Sequence, residues 1–334
     1  MIHVVLLYGF ARIGLGQYAA RGDGSEYLTM AEALTSGQLV GVHFPLYPAL
    51  ISALSLVMPT DLAALAIPPV FHILFAMILY KIFEDSKHAW LYSLTLALFP
   101  PSVLIYNSSA LSDSLTIFFT ALVFYYGLKG RENRMLVASF FAGSSHYYAI
   151  LLIVPLTYWL WKKRNVRKLP FALVPLLPLI IFSVAQFFAR GDFLYYVRIP
   201  EAPTFSWGTA LLTYPFGSLV YAATALSGLE RLYWSSYIAL VYFAYGMGLL
   251  IATRRQSYWR AVFSAPFYLF SVVVAGYYFV PRFLLLSFPS LIEFAELEKK
   301  LHAFRWILVV VIIANTAYAV WFLLIRVPAS GFAS

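Results

Sequence analysis

The sequence predicts an all-α, polytopic transmembrane protein of roughly nine to eleven membrane crossings, with a short amphipathic helix lying in its first external loop. Three observations lead there. Of the 334 residues, 62% are hydrophobic and only 11% charged, a balance outside that of soluble domains. Apolar runs recur from end to end, and a crossing helix needs about 20 apolar residues to cover roughly 30 Å of hydrocarbon. The net charge of +9 comes from Lys and Arg residues concentrated in short intervals between those runs, where they orient helices rather than bind nucleic acid. The chain has no Cys, which excludes disulfides, thiolate catalysis and Cys-based metal sites. Neither an internal repeat nor an interdomain linker is visible, so one integral-membrane domain over residues 1–334 is expected.

Taken in order, the apolar segments fall near 2–20, 44–58, 62–83, 89–105, 110–128, 135–161, 169–189, 208–226, 233–252, 258–280, 283–297 and 306–326. The first lacks a basic leader and a small-residue cleavage site, and reads as a retained helix rather than a signal peptide. The polar interval that follows, residues 21–43, contains Tyr27, Met30, Ala31 and Leu34 at the i, i+3, i+4, i+7 spacing of a surface helix. Segment 44–58 is short and carries Pro45 and Pro48. Segment 135–161 is long and interrupted by "GSSHYY", as two half-helices would be. Segment 208–226 contains Gly208, Pro215 and Gly217 and suits a re-entrant or interfacial piece, whose irregular backbone needs protein or water to satisfy it.

Orientation follows from the basic clusters "KGRENR" at 129–134, "KKRNVRK" at 162–168, "RRQSYWR" at 254–260, and Lys299, Lys300 and Arg305, all expected on the cytoplasmic side. The loop 21–43, the turn "PPSVLIYNSSALSDS", the "SSHYY" break, the loop from Arg190 to Trp234 and "VPRF" then share the opposite face. Lys81 and Lys87 are inconsistent with this scheme unless residues 44–83 cross an odd number of times, so either one of the two segments there is incomplete or the charge rule fails at this point.

Several residues can carry chemistry. Asp23 precedes the surface helix and Glu26 stands three residues later, the spacing of a capping box. Capping explains both acids; the functional alternative makes Asp23, or Glu26 in its place, a general base at the membrane surface. Arg282 follows Pro281 where a helix should begin, and a cation there opposes the helix dipole, so an anion should offset it. That anion is a loop carboxylate, a lipid headgroup reached by snorkelling, or a substrate phosphate. Asp113 in a first helical turn is explained by complementing the dipole; the functional alternative is a direct catalytic role. His146, beside the helix break, can be a hydrogen-bonded packing residue. The 6 His residues show no metal-ligand spacing, so neither an obligatory metal nor another cofactor is expected.

The acid after the first helix, the stretch "EYLTMAEALTSG", the following "HFPLYPALI", the later "LFPPSVLIYNSSALSDSLTIFF" and the "VPRFLLLSFP" segment together resemble the C-type glycosyltransferase superfamily (GT-C). The resemblance is to its GPI mannosyltransferase II branch and covers residues 1–165 and 277–295. Here Asp113 stands where that branch has a Glu, His146 where a basic residue often follows the small-residue break, and Arg282 is followed by Phe283 rather than Tyr. The resemblance implies a GT-C-type fold and an inverting, metal-independent transfer of a hexose, most simply mannose, from a polyprenyl (dolichyl) phosphate sugar to a lipid-linked or glycan hydroxyl. Asp23, or Glu26, would be the base, with Arg282, His146, Asp113, Tyr147 and His43 binding the donor's phosphate and sugar. The chain has no loop large enough for a nucleotide, which suits a donor whose prenyl tail enters between helices. A lipid flippase or membrane transporter is the competing class; paired halves and ionisable groups at the bilayer midplane would mark it, and no halves match. Short loops and the absence of Cys favour the plasma membrane of a prokaryote, active face outward, over the luminal face of a eukaryotic endoplasmic reticulum.

Overall fold

Every regular element is helical among the residues that the structure, a computed structural model, describes: 11, 14–20, 23–38, 41, 43–100, 103–104, 107–193, 215–273, 280–298 and 304–321. The α-helices are α1 (Leu15–Ala19), α2 (Gly24–Thr35), α3 (Leu46–Ser55), α4 (Thr60–Ile82), α5 (Ala89–Leu98), α6 (Asp113–Leu128), α7 (Glu132–Ser145), α8 (Ile153–Lys162), α9 (Leu177–Arg190), α10 (Gly217–Thr224), α11 (Gly228–Arg254), α12 (Tyr258–Val273), α13 (Val280–Leu284), α14 (Phe288–Glu298) and α15 (Phe304–Trp321). Among the described residues, three stretches are long and apolar enough to cross a membrane: Thr60–Ile82, Val166–Arg190 and Trp234–Arg254. Ala89–Leu98, Asp113–Leu128 and Arg305–Trp321 are shorter apolar helices. The all-α membrane class expected from the sequence is the class observed. Most of the first apolar segment, together with the stretch 194–214, lies outside the described residues.

The chain divides into two compact units, one comprising Met1–Ile150, Leu173–Arg198 and Leu308–Ser334, the other Leu151–Ala172 and Ile199–Ile307. In the first unit α6 packs against both α4 and α7. The Glu84 carboxylate, just past α4, is met by Lys81 Nζ at 3.4 Å and by Lys129 Nζ, just past α6, at 3.0 Å. The C-terminal ends of α4 and α6 therefore lie at one level, and α7 returns antiparallel to α6 after the turn at Gly130. Helix α3 has 10 residues, about 15 Å at 1.5 Å per residue, half of what a crossing needs. This accounts for Lys81: of the two segments between 44 and 83, only α4 is long enough to cross, so its basic end joins the side of "KGRENR".

Small residues let this unit close. Ala63 and Ala64 of α4 pack with Tyr27, Ala31, Tyr47, Ile51, Ala110 and Leu115 in one buried cluster, and the Tyr47 hydroxyl donates to the Ala64 carbonyl at 2.7 Å. At Gly24 a Cβ would collide with the Ala19 carbonyl, so α2 can sit this close to the end of α1 only with glycine there, while Ala110 Cβ, at 3.5 Å, would be in ordinary contact. The expected break after α7 is present. Helix α7 ends at Ser145, His146 is extended, and a 3-10 turn over Tyr147–Leu152 leads into α8.

In the second unit α11 packs on α12 and α14. Ser264 of α12 and Ser287, beyond α13, donate reciprocally to each other's carbonyls at 3.2 and 2.9 Å, and Tyr242 of α11 donates to the Ser271 carbonyl at 2.6 Å. Glu293 of α14 is buried, 1% exposed, and takes Arg260 at 2.7 Å and Arg255 at 3.3 Å. This framework carries α13, and with it Arg282.

Candidate active site

The end of α6 remote from Lys129 is polar, although the helix itself is apolar. It begins at Asp113, and the first turn of α2 lies over the turn that precedes it: the Tyr27 and Ser112 hydroxyls are 2.9 Å apart. Tyr27 is 1% exposed; its ring stacks on His43 at 4.2 Å and meets Tyr47 edge-on at 4.8 Å. Tyr27, Met30 and Ala31 are the buried face of α2, as the periodicity predicts.

Asp23 occupies the N-cap position but does not cap. Its backbone is helical (φ −61°, ψ −13°) and its side chain makes no capping hydrogen bond, whereas a side-chain cap goes with an extended N-cap residue. The capping-box reading of the two acids is thus overturned. Glu26 turns instead to His43, whose Nε2 lies 2.9 Å from Oε2, with side chains 42% and 19% exposed respectively. The Nε2 is buried, and its approach to the carboxylate falls short of linear hydrogen-bond geometry. This contact holds the Glu26 carboxyl below its ordinary value against the opposing effect of partial burial.

Asp113 is buried, 3% exposed, and accepts a hydrogen bond from the Tyr148 hydroxyl at 3.1 Å. One turn along, the Thr116 and Ser145 hydroxyls are 2.9 Å apart, which ties the start of α6 to the end of α7. His146 stacks on Tyr148 at 3.8 Å and meets the Tyr147 ring at a tilt at 4.5 Å, and Tyr147 is 37% exposed. The sequence singles out Tyr147; the structure gives the contact with Asp113 to Tyr148. Adjacent tyrosines in "HYY" carry no signal that separates them, since the 3-10 turn decides which one points inward.

Of the residues proposed from the sequence, Asp23, Glu26, His43, Asp113, His146 and Tyr147 all belong to the first unit. Contacts run from Glu26 through His43 and Tyr27 to Ser112, and from its neighbour Asp113 through Tyr148 to His146 and Tyr147. Asp23 stands one turn from this path, its carbonyl accepting from the Tyr27 N–H at 3.0 Å. Ser112 and Tyr148 are not singled out by sequence reasoning, and Tyr27 is singled out only for the apolar face of α2, not as a site residue. Arg282 belongs to the second unit, in α13, and is 7% exposed, which rules out snorkelling to solvent. Among the described residues no group of three His, Asp or Glu side chains could hold a metal. An apolar groove formed by Leu74, Met77, Ile78, Tyr80, Lys81 and Phe118 lies on α4 and α6, away from the polar residues.

No protein-family model matches the chain, and no curated protein sequence matches it. Comparison with solved structures finds the crystal structure of ArnT from Cupriavidus metallidurans bound to undecaprenyl phosphate, with a TM-score of 0.55 at 15% sequence identity, covering 97% of this chain and 68% of the ArnT chain. What is shared at that identity is the arrangement of helices: the chain has an all-α fold similar to that of ArnT.

Proposed function

We propose that this chain is an integral-membrane glycosyltransferase that moves a hexose, most simply mannose, from a polyprenyl phosphate to a lipid-linked or glycan hydroxyl at the non-cytoplasmic face. The observation that carries this is the fold similarity over 97% of the chain to a protein crystallised with undecaprenyl phosphate. The acidic cluster at one end of an otherwise apolar bundle supports it, because a carboxylate there can meet water-borne and lipid-borne hydroxyls alike.

In the proposed reaction the acceptor oxygen attacks the anomeric carbon, the bond from that carbon to the phosphate oxygen breaks, and the configuration inverts. The acceptor proton passes to Asp23, with Glu26 as the alternative base. Polyprenyl phosphate leaves with the bonding electron pair. Arg282 is assigned to the leaving phosphate, where a buried guanidinium stabilises the charge that develops. The Glu26–His43 pair and the Asp113–Tyr148 contact position groups around the sugar, and Tyr147 offers an exposed ring for stacking.

The test is incubation of purified protein with radiolabelled polyprenyl phosphate mannose and a glycolipid acceptor. Acceptor-dependent release of polyprenyl phosphate is expected. Movement of the intact donor across vesicle membranes without its consumption would instead identify a flippase.

A further inference from the structure

Asn107 plays no part in the roles assigned above, and its surroundings are unusual. It is 0% exposed, yet neither Nδ2 nor Oδ1 meets any donor or acceptor among the described residues. A fully buried amide with both ends unsatisfied is costly to retain. Ser114 Oγ, beyond Asp113, is likewise buried without a described partner. The backbone around Asn107 is held firmly, its N–H donating to the Val103 carbonyl at 2.9 Å. The turn from Asn107 to Ser112 lies against the segment bearing the candidate bases. Ala110 abuts Gly24, next to Asp23, and Ser112 bonds Tyr27, next to Glu26.

An amide that offers one donor and one acceptor side by side matches two neighbouring hydroxyls on a sugar ring, each of which can give and accept. We propose that Asn107 is a specificity-determining residue that reads a hydroxyl pair of a hexose at this end of the first unit, Nδ2 donating to one hydroxyl and Oδ1 accepting from the other. The inference rests on the glycosyl-transfer reading for its ligand class. The hexose is either the sugar carried by the donor or one at the end of the acceptor; the two share this chemistry and are separated by experiment.

The test compares wild type with Asn107→Leu, which removes both polar atoms while keeping the branched four-atom skeleton, and with Asn107→Ala, which removes them without adding bulk. Thermal stability is measured together with binding of undecaprenyl phosphate mannose, sugar-free undecaprenyl phosphate and octyl mannoside, none of which requires turnover. Stability should be unchanged or higher, because the folded protein loses two unsatisfied groups. Affinity for one mannose-bearing ligand should fall about tenfold or more, while sugar-free undecaprenyl phosphate binds as before. A loss confined to undecaprenyl phosphate mannose assigns the donor sugar, and one confined to octyl mannoside assigns the acceptor sugar. Unchanged binding of both overturns the proposal. So does unfolding of both variants, or a stability loss accompanied by equal weakening for all three ligands, since the amide would then be structural, for example through an ordered water. Failure of wild type to transfer mannose refutes the enzymatic reading alone, because these binding results stand without it.

Discussion

Replacing Asp23 by Asn separates chemistry from structure at the first turn of α2. The amide keeps the size and polarity of the side chain and loses one ability, that of taking a proton. The Asp23 side chain makes no capping hydrogen bond, so no cap is at stake. The stability change should stay below the cost of losing a true cap, about 1 kcal/mol. The rate is another matter. Removing a positioned general base slows a reaction by about 100-fold to 10,000-fold, or roughly 3–5.5 kcal/mol of barrier. The comparison is Glu26→Gln, which gives up the 2.9 Å contact with His43. With side chains 42% and 19% exposed, that pair contributes at most about 0.2–1 kcal/mol. The assay is transfer of labelled mannose from polyprenyl phosphate mannose at saturating acceptor, run beside thermal unfolding in detergent. Collapse of the rate in Asp23→Asn at unchanged stability supports Asp23 as the base. If instead Glu26→Gln collapses and Asp23→Asn does not, the base is Glu26; if both transfer at near wild-type rates, the placing of the chemistry at this end of α2 is refuted.

Four further outcomes are expected. Because the folded carboxyl of Glu26 is held below its ordinary value, its stabilising contribution is complete above the unfolded pKa and disappears as pH falls through the folded one; the stability gap between wild type and Glu26→Gln should therefore narrow and close as pH falls through the lowered folded value in thermal scans. Arg282→Ala should weaken donor binding or turnover about tenfold or more, as loss of a charge-assisted hydrogen bond does, with partial recovery in Arg282→Lys because the planar fork is missing; unchanged donor kinetics would reassign Arg282 to structure. In the Glu293 cluster, the Arg255→Ala, Arg260→Ala double variant should lose about 3–5 kcal/mol by stranding a buried carboxylate, and Glu293→Gln less, since its two arginines are about one-third exposed and can reach water; equal losses in unfolding measurements would contradict this asymmetry. Gly143→Ala should destabilise by about 1–3 kcal/mol, because a Cβ there collides with the Pro175 carbonyl; a variant as stable as wild type would show that the backbone yields.

The sequence by itself determined the membrane class, the helix at α2 and the break between α7 and α8. Each depends on local periodicity, on the energetics of inserting apolar runs, or on charge counted over short loops. Lys81 shows where that information stops: charge counting left a choice between one incomplete segment in 44–83 and a failure of the rule, and the folded chain decided it through α3, at 10 residues, and through the Glu84 carboxylate that Lys81 and Lys129 share. Tertiary structure alone decided which groups meet. It gave Glu26 to His43 rather than to a capping box, and Asp113 to Tyr148 rather than to the equally plausible Tyr147. It also gave Glu293 two arginines 33 and 38 positions away, and buried Asn107 without a described partner. Such pairings depend on how distant elements dock, and on which way a side chain leaves a turn of 3-10 geometry. A one-residue change of register alters them without altering composition, spacing or hydropathy, which is why the sequence could nominate the residues at the polar end of α6 but could not assign their partners.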